Sequence, residues 1–209
     1  MIEIDRVGVA TADVTLLAPV SASVSAGDAL VVRGRNGSGK STLLRTLAGA
    51  RTPTSGRVSI AGSPVAPRDP SFRRRVAAMI GLPPIAPDLT VFDHVLFVAT
   101  TWTDAASTAT TRTEAVMAEL GLTPFAARFA HELSSGQTQL FALALVLVRP
   151  FDVLLLDEPE QRLDPEHIDV MTRAVRARRD AGATLVVATH STRVAERLSE
   201  RMLWLESAA

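Results

Sequence analysis

The sequence predicts an α/β fold, a parallel-sheet core interrupted by an inserted helical subdomain. Three observations predict it. Both ends of the chain alternate short apolar runs with segments of helical period. The middle, from Thr90 to about Val148, is helical in pattern throughout. Two of the apolar runs, VLLLD at 153–157 and TLVVAT at 184–189, are continuous, as strands buried on both faces are. With 209 residues, 47% of them apolar and 21% charged, the chain can bury a sizeable core as one globular domain. Its 22 basic and 22 acidic residues balance, which argues against wholesale binding to nucleic acid or anionic lipid. Cysteine is absent, so disulfides and thiolate metal sites are excluded. The longest apolar run, LFALALVLV at 140–148, is nine residues, against roughly 20 for a membrane span. The opening MIEIDRVGVA has neither a basic leader nor a long apolar run, so no signal peptide is expected.

In chain order, IEIDRVGVA and VSASVSAGDALVVRG read as strands from their alternation and β-branching. Residues 40–50 read as a helix, with Leu43, Leu44 and Leu47 on one face and Gly49 as its stop. GRVSIAG at 56–62 is a further strand between glycines, and RRRVAAMIG at 73–81 ends in a buried strand. LPPIAPDLT at 82–90 is a proline-rich connector and marks a boundary. The expected division is a core of 1–82 and 150–209 with a helical subdomain over 83–149. Within that insert, VFDHVLFVATTW and TRTEAVMAELGL read as amphipathic helices joined by a polar loop, ASTATT at 106–111. GQTQLFALALVLV is too apolar for a surface helix. Then follow the strand 153–157, a helix over 165–180, the strand 184–190, a short helix and RMLWLE at 201–206.

Residues 34–42, GRNGSGKST, satisfy G-x-x-x-x-G-K-[ST] after an apolar strand and at the start of a helix, which is the context the motif requires. Lys40 is the only lysine; the other 21 basic residues are arginine. An ammonium is a compact point charge on a flexible stem, whereas a guanidinium is larger and suits a fork-shaped partner. The site expected here is a phosphate cradle. Gly34, Asn36, Gly37, Ser38, Gly39 and Thr42 form the loop, Lys40 reaches the β- and γ-phosphates, and Ser41 ligates Mg²⁺. The nucleotide class is thus a triphosphate with its magnesium.

Three further segments carry chemistry. VLLLDEP ends in Asp157 and Glu158 at the carboxyl end of a strand, where ligands of such sheets bind. Asp157 suits Mg²⁺ and Glu158 a water to be activated; the alternative is a helix-capping acid before a turn proline. His190 ends the strand TLVVATH at the same edge, either against a γ-phosphate or as a structural histidine. His94, His131 and His167 read as surface or packing residues. LSSGQ at 133–137 opens the most apolar helix, either as a second anion site or as an ordinary N-cap.

GRNGSGKST, LSSGQ, VLLLDEP, the LDP at 163–165 and TLVVATH, in this order, resemble the nucleotide-binding subunit of an ATP-binding cassette (ABC) transporter. The resemblance covers nearly the whole chain, and LSSGQ differs from the family's LSGGQ by one Gly→Ser change. It implies a P-loop NTPase fold whose β-rich opening is an N-terminal antiparallel β-subdomain. It implies ATP and Mg²⁺ as ligands, with Glu158 and His190 catalytic and Ser41 and Asp157 on the metal. It implies two cassettes paired head to tail, this chain with a second copy of itself or a homologous cassette. Ser134, Ser135, Gly136 and Gln137 would then serve the partner's nucleotide, and Asp164 would lie in a loop crossing the seam. The implied function is ATP hydrolysis that drives a separate integral-membrane subunit, from the cytoplasmic face of the membrane and without direct contact to nucleic acid. The rival readings are a soluble ATPase acting on nucleic acid or a protein assembly, and a weakly hydrolysing nucleotide switch.

Two positions depart from the family pattern. A glutamine usual at the end of the strand VAAMIG aligns with Gly81, and no glutamine lies between Lys40 and Gln137. Restoring it would raise ATPase in an ordinary pocket, or lower it where the backbone is open only to glycine. The aromatic on which the family stacks adenine aligns near Thr11, and no aromatic precedes Phe72. Weaker nucleotide binding and poor discrimination among bases are expected.

Overall fold

The computed structural model describes residues 1–103 and 105–206. It divides into two compact units. The first comprises Met1–Ile80, Phe151–Glu158 and Arg176–Ala209, the second Gly81–Pro150 and Pro159–Val175.

The first unit holds two sheets. In the antiparallel one, β1 (Ile2–Ala10) pairs with β2 (Thr15–Val24) and β4 (Ser55–Ile60), and β5 (Ser63–Pro64) pairs with β4. β2 begins earlier than its alternation suggested and contains Pro19. It is an edge strand, where a missing N–H costs no ladder bond. The second sheet is parallel, in the order β6 (Val76–Met79), β7 (Val153–Asp157), β8 (Thr184–Ala188), β3 (Ala29–Gly34), β9 (Met202–Leu205). The continuous apolar runs are its central strands: Val153 to Leu156 and Thr184 to Ala188 are all buried. Helix α1 (Lys40–Leu47) packs on β3, β7 and β8 of this sheet and on β2 of the other. Leu43, Leu44 and Leu47 are fully buried, and they join Ile2, Leu17, Leu155 and Val186 in a core shared by both sheets.

The ladder registers position the chemistry. Ala188 stands opposite Asp157 on one side and Val32 on the other. The carboxyl ends of β7, β8 and β3 therefore lie side by side, and the segments after Asp157, Ala188 and Gly34 leave the sheet at one edge.

A helix not expected from the sequence, α2 (Pro70–Arg75), precedes β6. Asp69 caps it by accepting from the Ser71 N–H at 2.8 Å, with Pro70 at the first helical position. The Asp-Pro signal was present, but the arginines after it hide any apolar period.

The second unit packs α3 (Val91–Thr100), α4 (Ala106–Glu119) and α5 (Ser135–Leu147) against one another. ASTATT, expected as a loop, is instead the first turns of α4. Thr110 and Thr111 donate their hydroxyls to the carbonyls of Ala106 and Ser107 at 3.1 and 3.0 Å, so the polar groups are satisfied within the helix. α5 is buried through Leu140–Leu145, as its unbroken apolar run requires. His94 is a packing residue, only 7% exposed, with its ring edge-on to Phe141 at 5.4 Å. Its Nε2 accepts from the Ala86 N–H at 3.0 Å, so the proton sits on Nδ1, 2.8 Å from the Thr90 carbonyl. A neutral ring thus ties the proline-rich connector to the start of α3.

The expected division assigned all of 150–209 to the core, whereas Pro159–Val175 falls in the second unit. Contacts with α5 explain this. Gln139 Nε2 donates to the Pro159 carbonyl at 3.3 Å, and the Arg162 carbonyl lies against Gly136. Helix α6 (Pro165–Asp180) runs from one unit into the other, and α7 (Thr192–Leu198) returns to the first. Among the described residues no helix is long and apolar enough to cross a membrane.

Phe141 is fully buried. Phe141→Ala is expected to destabilise the second unit by about 3–5 kcal/mol, the usual range for removing a buried phenylalanine. Urea unfolding followed by far-UV circular dichroism measures it.

Candidate functional site

The glycine-rich loop leaves β3 at Gly34 and enters α1 at Lys40. Gly39 has φ +94°, and a Cβ on it would stand 2.6 Å from the Leu16 carbonyl, so only glycine fits. Gly37 has φ +80° and no atom within 4 Å of where a Cβ would be, so this backbone faces open space. Helix α1 has no side-chain cap, which leaves its first N–H groups directed outward with their positive dipole end. Ser38 is 1% exposed and its hydroxyl has no partner. Lys40 is buried, and its Nζ donates to the carbonyls of Gly34 and Arg35 at 3.1 and 3.2 Å. Two of its three donors thus brace the loop from within. The pocket above holds about 360 Å³, lined by Asn36, Gly37, Lys40, Ser41, Thr42 and Glu158, and by Val14, Thr15 and Leu16 across from them.

Asp157 ends β7, half-buried. Glu158 takes the left-handed backbone conformation, φ +47°, with its N–H donated to the Ala188 carbonyl at 2.8 Å. A non-glycine residue held there costs of order 1–3 kcal/mol, a strain that gathers at functional sites. That turn aims Glu158 Oε1 at His190 Nε2, 3.0 Å away. The sequence predicted both at one sheet edge but not that they pair. Asn36 to Thr42, Asp157, Glu158 and His190 are therefore all in the first unit, and Ser134–Gln137 and Asp164 are in the second.

The second group doubles as helix caps. Ser134 Oγ accepts from the Gln137 N–H at 3.3 Å, and Gln137 Oε1 accepts from the Ser134 N–H at 2.9 Å, a reciprocal capping box on α5. Gly136 has the Arg162 carbonyl 3.1 Å from where a Cβ would stand. Asp164 caps α6. Its Oδ1 accepts from the His167 N–H at 2.9 Å, and its Oδ2 lies 2.7 Å from His167 Nδ1. These bonds favour the carboxylate and hold Asp164 below its ordinary value of 3.8.

Sequence reasoning missed Val14. The search for an aromatic pointed to Thr11, but Thr11 closes the β1–β2 turn, its N–H donated to the Val14 carbonyl at 2.8 Å. Val14, 55% exposed, lines the pocket beside Leu16. Gly81 opens the second unit with φ +81° and open space where a side chain would go.

The family model described as ABC transporter matches residues 17–161, more than half of the chain. This chain belongs to the ABC transporter family. It is an ATP-binding cassette subunit, an ATPase. It is 36% identical over 207 residues to the thiamine import ATP-binding protein ThiQ of Jannaschia sp. (strain CCS1), covering 99% of this chain and 89% of that one. It is 37% identical over 190 residues to the cytochrome c biogenesis ATP-binding export protein CcmA of Rhodobacter capsulatus, covering 91% and 81%. The dimeric structure of MJ0796, a bacterial ABC transporter cassette, shares the fold at a TM-score of 0.89 and 24% identity, covering 99% of this chain and 95% of that one.

The positive φ at Gly81 decides between the two expectations for that position. Gly81→Gln should destabilise the cassette by about 1–2 kcal/mol and leave ATPase at or below the parent rate. Urea unfolding and steady-state phosphate release test the two halves; a rate above the parent would contradict the strain argument.

Asp164 supplies stability that is fully present above pH 3.8 and lost as pH falls through its lower folded value. Asp164→Ala should lower the thermal midpoint at pH 7 and flatten its decline below pH 3.8. Thermal unfolding across that range measures both.

Proposed function

We propose that this cassette works as one half of a head-to-tail pair that hydrolyses ATP and drives a separate membrane-spanning subunit from the cytoplasmic face. The observation that carries the reading is the Glu158–His190 pair, 3.0 Å apart, in the same unit as an uncapped helix N-terminus and a buried ammonium. The triphosphate would bind along the loop from Asn36 to Thr42. Backbone N–H groups would meet the phosphate oxygens, and Lys40 would turn from its carbonyls to the β- and γ-phosphates.

The donor set fits a magnesium ion. Ser41 and Asp157 offer the hard oxygens that Mg²⁺ takes, and would hold it together with phosphate oxygens and water. Among the described residues no cluster of three or more His, Asp or Glu forms a site of protein ligands alone. When bound, the metal would neutralise charge on the β- and γ-phosphates. Glu158 would accept the proton of the attacking water, while His190 would hold the carboxylate's orientation and contact the γ-phosphate.

In the pair, Ser134, Ser135 and Gly136 would face the partner's triphosphate. The capping box supports this by fixing the first turn of α5 and leaving the Ser135 hydroxyl and the Gly136 N–H uncommitted to it. Asp164 would sit near the seam while capping α6. Val14 in place of an aromatic supports weak selection of the base, since stacking contributes about 1–3 kcal/mol in comparable sites. Transport of a named substrate, inward or outward, lies with the membrane partner.

Glu158→Gln tests the reading. The amide keeps the shape and a hydrogen bond to His190 but takes up no proton. The variant should bind ATP, release phosphate at least about 100-fold more slowly, and accumulate as a dimer in Mg²⁺–ATP on size exclusion with light scattering. Hydrolysis at the parent rate would show that Glu158 is not the base.

A further inference from the structure

Arg33 is the last residue of β3 before Gly34, and it makes contacts that the phosphate chemistry above does not use. Its Nη2 donates to the His190 carbonyl at 3.1 Å. Both terminal nitrogens also reach Thr192 Oγ1 at 3.4 Å. The guanidinium lies over the indole of Trp204, 5.2 Å from the ring centroid. The sheet dictates that last contact, because Arg33 and Trp204 stand opposite each other in the β3–β9 ladder. Trp204 is 64% exposed, an unusual position for the largest apolar side chain unless it has a partner on the surface.

We propose that Arg33 is a positioning residue that sets His190 against Glu158, with Trp204 holding the guanidinium in place. The proposal rests on the reading of Glu158 and His190 as the catalytic pair. The physical case is short. The His190 ring hangs from its own backbone, and Arg33 grips the carbonyl of that residue with a charge-assisted bond. A guanidinium can fork to a carbonyl and a hydroxyl while its face lies on an aromatic ring. The same strand launches the phosphate loop one residue later, so His190 and Lys40 take their positions from one rigid element. Without Arg33 the segment would still fold. The Thr189 N–H donates to the Val32 carbonyl at 3.3 Å, and the Ser191 N–H to Thr189 Oγ1 at 2.9 Å. What is lost is the hold on the one residue between those anchors.

The test uses Arg33→Met, Arg33→Lys and His190→Ala, singly, and Arg33→Met with His190→Ala. Phosphate release is followed in the steady state and in single turnovers, and ADP affinity and thermal midpoint are measured for each protein. Arg33→Met should lower kcat about fivefold, the worth of one hydrogen bond, with ADP affinity unchanged. Arg33→Lys should fall between it and the parent, since an ammonium reaches the carbonyl but does not fork to Thr192. In the His190→Ala background, Arg33→Met should cost nothing further. Four results would overturn the proposal. An Arg33→Met variant with parent kcat shows that Arg33 sets nothing. An equal loss with or without His190 shows that it acts elsewhere. A rise in KM with weakened ADP binding and unchanged kcat shows that it shapes the phosphate loop instead. Parent activity in His190→Ala removes the catalytic pair itself, which separates failure of that reading from failure of this one.

Discussion

The chemistry of the first unit depends on one parallel ladder, and Ala188 is its centre. This residue stands in register with both Asp157 and Val32, and its carbonyl takes the Glu158 N–H. It is fully buried. A slip of one residue between β7 and β8 would move Asp157 off the edge and turn every side chain of the strand to the opposite face. Buried strands whose residues are apolar on both faces resist such a slip only through packing. That is the reason for the dense Leu and Val content of β7 and β8, and for the leucines of α1 beneath them. The left-handed backbone at Glu158 then rests on this frame. Its cost of a few kcal/mol is tolerable because the N–H bond to Ala188 and the following Pro159 leave the chain little alternative.

Helix N-termini in this protein fall into two kinds. Asp69, Thr90, Ser134, Asp164 and Ser191 each accept an N–H from the first turn of their helix. α1 has no such side chain and begins from a glycine with positive φ. α4 lacks a side-chain cap as well, but it begins from Ala105 in extended backbone rather than from a glycine. An uncapped end costs stability in a helix of only eight residues. Here the cost is offset by three leucines in the core and by Lys40, which braces the loop through two carbonyls. The same features leave N–H groups and one ammonium donor for an anion. A lysine serves both states because its donors rotate about a single centre, whereas an arginine fork would have to find two acceptors in each.

The phosphate loop, the acidic strand end and the strand-end histidine were legible because each is a local pattern read against a continuous apolar run. Their meeting at one edge followed from the parallel-sheet rule alone. The Glu158–His190 pair was not legible, because it depends on the register between β7 and β8 and on a backbone conformation rare for glutamate. The first turns of α4 were misread because threonine content suggests a loop, while the Thr110 and Thr111 hydroxyls are satisfied by the carbonyls four residues before them. Asp164 was assigned from resemblance to the seam. Its bond to the His167 N–H, with Pro165 between, is the ordinary start signal of a helix and was overlooked. Val14 was not legible because the turn that Thr11 closes, not the alternation of the strands, brings an aliphatic residue to that wall.

Gly81 and Val14 differ from the ladder residues in what surrounds them. Neither is packed into the core: Gly81 has no atom within 4 Å of where a Cβ would stand, and Val14 is 55% exposed. The elements that depend on the ladder are the loop, the acidic pair and the histidine, all in the first unit. The difference is physical. A residue tied to the ladder holds its neighbours in place, so its loss would disturb several of them. Val14 is more than half exposed, so a change there disturbs little of the fold, whereas Gly81, with open space around it, is still held to glycine by its positive φ. Space and backbone thus constrain a position separately: Val14 is bound by neither, and Gly81 by its backbone.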